Sequence, residues 1–107
     1  MKQVYKAWRA EFRENVFRRD NYKCVMCKSK DGLDAHHITD RKEMPHDGYA
    51  VENGISLCSV CHLKAEEWHK SAKKIYIPDY HPDQLYSRIN SSYDKAYKAS
   101  LELKMDL

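Results

Sequence analysis

At 107 residues, with 42% hydrophobic and 33% charged side chains, the chain is too short to divide into two units that each bury a core, and its one core is thin. The formal charge of +3 is unevenly placed: residues 1–30 hold nine Lys/Arg against three Asp/Glu, whereas residues 31–107 hold ten against thirteen. No apolar run is long enough to cross a bilayer, and Met1–Lys6 lacks the apolar stretch of a secretion signal, so a membrane or secreted protein is not expected.

Residues 5–20 predict an amphipathic helix, with Tyr5, Trp8, Phe12 and Val16 on one stripe and Arg9 and Arg13 off it. Trp8 and Phe12 read as core. Arg18, Arg19 and Lys23 fall at the helix end, where cations complement the helix dipole or could touch phosphate. The basic N-terminal third is the electrostatic pattern of a face that meets a polyanion. Asp20-Asn21 breaks this helix, and Tyr22 to Cys27 forms a turn that aims two sulfurs at one point.

After the turn Lys30-Asp31-Gly32, residues Leu33 to Ile38 alternate as a short strand. Leu33, Ala35 and His37 share one face; Asp34, His36 and Ile38 share the other. Thr39 to Ala50 is polar, contains Pro45 and Asp47-Gly48, and reads as a long loop with no core of its own. Val51 to Leu57 predicts a second strand, in which Asn53-Gly54 suggests a bend that fixes the asparagine side chain. A helix over about 61–74 then places Cys61, Ala65, Trp68 and Ala72 toward the core, with His62, Glu66, His69 and Lys73 on the neighbouring stripe. Pro78 and Pro82 end it. Pro82 opens a C-terminal helix over about 81–105, whose apolar side (Leu85, Ile89, Tyr93, Ala96, Leu101) docks on the domain or on a second copy of the chain.

The four cysteines form two C-x-x-C pairs, Cys24/Cys27 and Cys58/Cys61, separated by thirty residues. That spacing suits tetrahedral zinc held by four thiolates far better than buried free cysteines, a redox pair or a disulfide framework. It also implies a reduced, cytoplasmic setting. His46 and His81 read as ordinary satisfied histidines. His36, His37 and His62 differ, because they flank both halves of the zinc set, and closing that set brings the strand end and the helix start within reach of one ion.

Ala35-His36-His37-Ile38, then Asn53-Gly54-Ile55-Ser56-Leu57-Cys58, then Cys61-His62, resemble the His-Asn-His (HNH) endonucleases of ββα-metal fold, in the subgroup with a four-cysteine zinc. The resemblance spans roughly residues 8–69. It implies an α+β fold, a small zinc-stapled ββα-metal domain with flanking N- and C-terminal helices: one domain over 1–107, a motif core at about 22–74 and a helical extension at about 81–105. It further implies hydrolysis of DNA phosphodiester bonds to leave a 5′ phosphate, with His37 as general base, Asn53 holding the geometry around it, and His36 and His62 as ligands of one catalytic divalent ion. Mg2+, Mn2+, Ni2+ or Zn2+ would suit such ligands.

Some family members add a histidine one turn after the position of His62, and here that place is Glu66. Glu66 is then a further ligand, a partner that orients His62, or a plain solvent-facing residue. His69, seven residues beyond His62, lies too far along the helix to share its ion and more readily meets substrate or the helix end. Arg9, Arg13, Arg18, Arg19 and Lys23 are the candidate phosphate contacts, which would give salt-dependent and largely sequence-tolerant binding. The resemblance points to the settings of bacteriophages and mobile elements. The alternative is a non-catalytic zinc-stabilised nucleic-acid-binding module, which would need none of His37, Asn53 and His62.

Overall fold

The computed structural model describes residues 2–103, with side chains from residue 6 onward, so Tyr5 as a core residue and the end of the predicted helix at 105 lie outside the described residues. The elements in chain order are α1 (Lys2–Arg19), β1 (Asp34–His37), β2 (Gly54–Leu57), α2 (Ser59–Lys70), α3 (Pro82–Arg88) and α4 (Tyr93–Leu101). The strands pair antiparallel, with His36 opposite Ile55 and His37 opposite Gly54. This is the expected α+β, ββα arrangement with flanking helices. No helix among the described residues is long and apolar enough to cross a membrane.

Alternation along β1 decides what lies on each side of the ribbon. Ala35 belongs to a cluster with Phe12 and Val16 of α1 and Tyr49 of the loop. On the other side Ile38, Ile55 and Leu57 join Cys24, Cys58, Cys61 and Ala65 in the larger core. Gly54 lets α1 come this close: a Cβ there would lie 2.5 Å from Val16 Cγ2 and 2.6 Å from Phe12 Cζ. Helix α1 is therefore laid directly on the ribbon where Gly54 pairs with His37.

The end of α1 is fastened by its own charges. The Arg19 guanidinium donates to the Asp20 carboxylate at 2.8 Å, to Val51 O at 2.9 Å and to Gly54 O at 2.7 Å. Asp20 in turn accepts the Ser56 N–H at 2.9 Å. Arg19 thus spends four of its five N–H donors on the protein, in contrast to its expected role as a phosphate contact. The sequence could not reveal this, since the acceptors are backbone carbonyls more than thirty residues away.

Three further expectations are revised. The stretch 39–50 is not an empty loop. It coils through two 3-10 turns, Arg41–Glu43 and Pro45–Gly48, and buries Met44, Gly48, Tyr49 and Ala50. The segment 51–57 begins as a 3-10 turn, Val51–Asn53, and becomes a strand only at Gly54. Helix α2 starts at Ser59 with Cys58 as its cap and stops at Lys70, before either proline, because Ala72 and Lys73 take left-handed backbone angles (φ 57° and 67°) and the Lys73 N–H closes onto Trp68 O at 2.8 Å. Ala72 is accordingly exposed rather than core.

The C-terminal extension is two helices, not one. Asn90 turns left-handed (φ 55°), and the Ser92 side chain caps α4 by accepting the Lys95 N–H. Both helices dock on the chain itself. Leu85, Tyr86 and Ala96 are buried in the larger core, whereas Tyr93, Tyr97 and Leu101 remain exposed.

Candidate active site

Among the described residues, two clusters of metal-binding groups converge. The first holds Cys24, Cys27, Cys58 and Cys61, whose sulfurs all lie within 4.8 Å of one another. Cys27 Sγ and Cys58 Sγ are 3.5 Å apart, well beyond a disulfide bond and close to the roughly 3.8 Å edge of a tetrahedron with zinc–sulfur bonds of about 2.3 Å. The chain folds to this end locally. The 24–27 turn closes through Lys28 N–H to Cys24 O at 2.9 Å, and is tied to β2 by Val25 N–H to Ser56 O at 3.0 Å. Three of the sulfurs are buried, Cys27 is exposed, and the Tyr80 hydroxyl donates to Cys61 Sγ at 3.2 Å. The residues fit a structural zinc.

The second cluster is His36, His62 and Glu66, again with one donor atom each inside 4.8 Å. Cys61 and His62 are consecutive at the start of α2, so the helix turns one toward each cluster. Glu66, one turn later, places its Oε1 3.2 Å from both His36 Nδ1 and His62 Nε2. His36 is only 2% exposed, yet neither of its ring nitrogens has a hydrogen-bond partner by geometry, with the Glu66 carboxylate 3.2 Å from Nδ1 as an ion-pair neighbour. A buried imidazole with two idle nitrogens is costly unless something else takes a lone pair. A divalent cation fits that description.

The electrostatics of His36 and Glu66 agree with a cation site. Burial pushes the His36 pKa down, which favours the neutral imidazole that a metal needs. The Glu66 carboxylate is held well below the usual range by its contacts with His36 and His62. His62 is raised, chiefly through the hydrogen bond with Glu66. Asp34, on the same strand face as His36, stands 3.7 Å from His62 Nδ1 and also pairs with Arg13 of α1.

His37 points to the other side of the ribbon. Its ring stacks on Phe12 (centroids 4.5 Å apart, planes 17° apart) and meets the edge of Tyr49 at 5.4 Å. Burial, followed by the charges of Arg41 and His36, pushes its pKa down to about 4, so it is a neutral proton acceptor at physiological pH. Its Nε2 is buried and without a partner. Both histidines nevertheless open on one cleft of about 320 Å³, lined also by Arg9, Arg13, Asp34, Asp40, Arg41, Tyr49, His62, Glu66 and His69.

Asn53 is wholly buried and makes no hydrogen bond to the His37 ring. Its Oδ1 accepts the Thr39 N–H at 3.0 Å, its Nδ2 donates to Thr39 O at 3.1 Å and Gly48 O at 3.3 Å, and its own carbonyl accepts the Ile38 N–H at 2.9 Å. It clamps the two residues that follow His37. A Cβ on Gly48 (φ +63°) would lie 2.6 Å from Asn53 Nδ2, which explains a glycine there.

The remaining predicted residues divide. Arg9 is exposed at the cleft; Arg13 lines it but is paired with Asp34; Arg18 is exposed and reaches Glu14 at 3.4 Å; Lys23 is exposed on the zinc turn. Arg18 and Lys23 are not among the cleft's lining residues. His69 Nε2 lies 3.3 Å from His37 O and outside the ligand cluster, with its ring centroid 5.4 Å from that of His36. His46 is satisfied by Ser100 O at 2.8 Å, and His81 caps α3. Three residues of the cleft were not singled out by the sequence: Asp34, Arg41 and Tyr49. Asp34 shares the strand parity of His36 and could have been found; Arg41 and Tyr49 sit in a stretch with no periodicity to read.

Residues 24–67 match the family model described as HNH endonuclease. The match takes in both cysteine pairs, His36, His37, Asn53, His62 and Glu66, and leaves α1, α3 and α4 outside. Neither a search of curated proteins nor a search of solved structures found a match.

Proposed function

We propose that this chain, which carries an HNH endonuclease domain over residues 24–67, hydrolyses DNA phosphodiester bonds in the cleft between α1 and α2. The reading assigns His37 as general base, a divalent ion to His36, His62 and Glu66, and structural zinc to the four cysteines. The observation that carries it is the convergence of three ligand groups in the same cleft that holds a half-buried, neutral imidazole whose Nε2 has no hydrogen-bond partner.

Each residue then has a physical task. His37 takes the proton of the attacking water, and burial keeps it in the accepting form. Asn53 holds the chain after His37 so that the ring stays aimed. An ion at the second cluster would polarise the phosphate and stabilise charge on the departing 3′ oxygen. Arg9 and Arg41 at the cleft meet flanking phosphates, while Asp34 orients His62. The free thiols of the zinc set suit a reduced compartment, so the reading places the protein in cytoplasm, which for a phage or mobile-element enzyme is that of the host.

The test is plasmid cleavage by metal-stripped protein resupplied with Mg2+, Mn2+, Ni2+ or Zn2+, alongside Glu66→Gln. Wild type should nick with at least one ion and leave 5′ phosphates, and Glu66→Gln should need about 10–100-fold more of it, as losses around a metal site commonly do. Protein that binds DNA but cuts with no ion would sink the proposal in favour of a binding module.

The two kinds of arginine separate in a second measurement. Arg9→Ala should weaken DNA binding and lower the slope of log affinity against log salt by about 1. Arg19→Ala should leave that slope unchanged and lower the melting temperature, since it unfastens α1 from β2. Equal salt effects in both variants would contradict this division.

A further inference from the structure

Tyr86 lies on α3, nineteen residues past the end of the family match, and is only 2% exposed. Its hydroxyl stands 2.7 Å from Asn53 Oδ1 and 2.6 Å from Thr39 Oγ1. A buried tyrosine ordinarily satisfies its hydroxyl wherever an acceptor is at hand. Here the acceptor is the side chain that clamps the base-bearing strand.

The direction of the bonds follows from counting donors. Asn53 Nδ2 has two protons, committed to Thr39 O and Gly48 O, and its Oδ1 has two acceptor positions, one taken by the Thr39 N–H. The second position accepts from the Tyr86 hydroxyl, whose one proton is then used. Thr39 Oγ1 must therefore donate to the Tyr86 oxygen. The result is a one-way chain, Thr39 hydroxyl to Tyr86 hydroxyl to Asn53 carbonyl, closed into a ring by the Asn53 bonds to the Thr39 backbone. Burial pushes the Tyr86 pKa up to about 12, so the phenol stays a donor at any working pH.

We propose that Tyr86 is a positioning residue of the cleavage site: through Asn53 and Thr39 it fixes the backbone immediately after His37, and so the aim of the His37 ring. The inference rests on the nuclease reading for its consequence in catalysis, but its structural half does not. Tyr80, also beyond the matched stretch, donates its hydroxyl to Cys61, so residues outside the match reach both the cysteine cluster and the Asn53 clamp. Tyr86 touches no candidate ligand and does not line the 320 Å³ cleft, which makes its action indirect.

The test compares zinc-loaded, 15N-labelled wild type, Tyr86→Phe, Thr39→Val and Thr39→Ser. Amide exchange at Thr39 should quicken about tenfold in Tyr86→Phe, a local loosening short of global unfolding. Single-turnover cleavage should slow about tenfold with KM for DNA unchanged, the mark of lost aim rather than lost binding. Thr39→Val should share the defect and Thr39→Ser, which restores the hydroxyl, should not. If Tyr86→Phe fails to fold, the Val/Ser pair at Thr39 decides alone. Wild-type exchange and rate in Tyr86→Phe, equal behaviour of the two Thr39 variants, or a fall in rate that only tracks a fall in melting temperature would each overturn the proposal. Wild-type protein inert with every ion would defeat the nuclease reading while leaving the exchange measurement to judge the positioning.

Discussion

His37→Ala is expected to cut DNA about 10²–10⁴-fold more slowly in single turnover while keeping its zinc, its DNA affinity and its requirement for added ion. The His37 ring lies in a slot between Phe12 and Tyr49, on the face of the ribbon away from His36, His62 and Glu66. Removing it leaves the ligand cluster and the cysteine set untouched. It does remove a stacked ring, for which a loss of about 0.5–1.5 kcal/mol is a fair expectation, too little to unfold a domain of ordinary stability. Rate and fold should therefore come apart. A variant that cleaves as fast as wild type would show that another group, or a contaminant, takes the proton.

Cys58→Ala is expected to abolish both zinc and fold. Binding energy at a four-thiolate site is folding energy, about 10–16 kcal/mol in small zinc peptides, against a total stability of about 5–15 kcal/mol for ordinary domains. Cys58 has a second duty as the cap of α2, its sulfur accepting the Cys61 N–H at 3.5 Å. Without it the turn that carries Cys61 and His62 loses its start. The measurement is zinc per chain together with circular dichroism and thermal melting. A cooperative melt with full zinc content in this variant would refute the structural role.

The membership of the candidate site was largely legible in the sequence because it rests on residue types at short spacings. Two C-x-x-C pairs, a tandem histidine on a strand, Asn53-Gly54 and Cys61-His62 each carry their meaning within a few residues, and strand alternation correctly sent His36 and His37 to opposite faces. What escaped reading depends on contacts distant along the chain. Arg19 looked like a free cation until Val51 and Gly54 came alongside. Tyr86 carried no signal of its own, because its hydroxyl meets Asn53 across 33 residues of chain. The split of the C-terminal helix was masked by an apolar stripe that runs on across the break: Asn90 supplies the left-handed turn without a glycine or proline, although Ser92 was a readable cap. Ala72 and Lys73 end α2 in the same unannounced way. In the loop, Met44 and Tyr49 are isolated apolar residues whose burial depends on α1 and on the extension packing over them.

His36 and His37 are chemically interchangeable side chains, distinguished only by the parity of their positions in a four-residue strand. One joins the cluster with His62 and Glu66 and its neighbour stacks on Phe12 because odd and even positions meet different helices. A slip of the pairing by one residue would exchange their surroundings and turn Asp34 toward the aromatic side as well. Insertions and deletions between the Cys24–Cys27 turn and Asn53 are for that reason a different class of damage from substitutions: they leave every functional group in the chain and reassign what each one does.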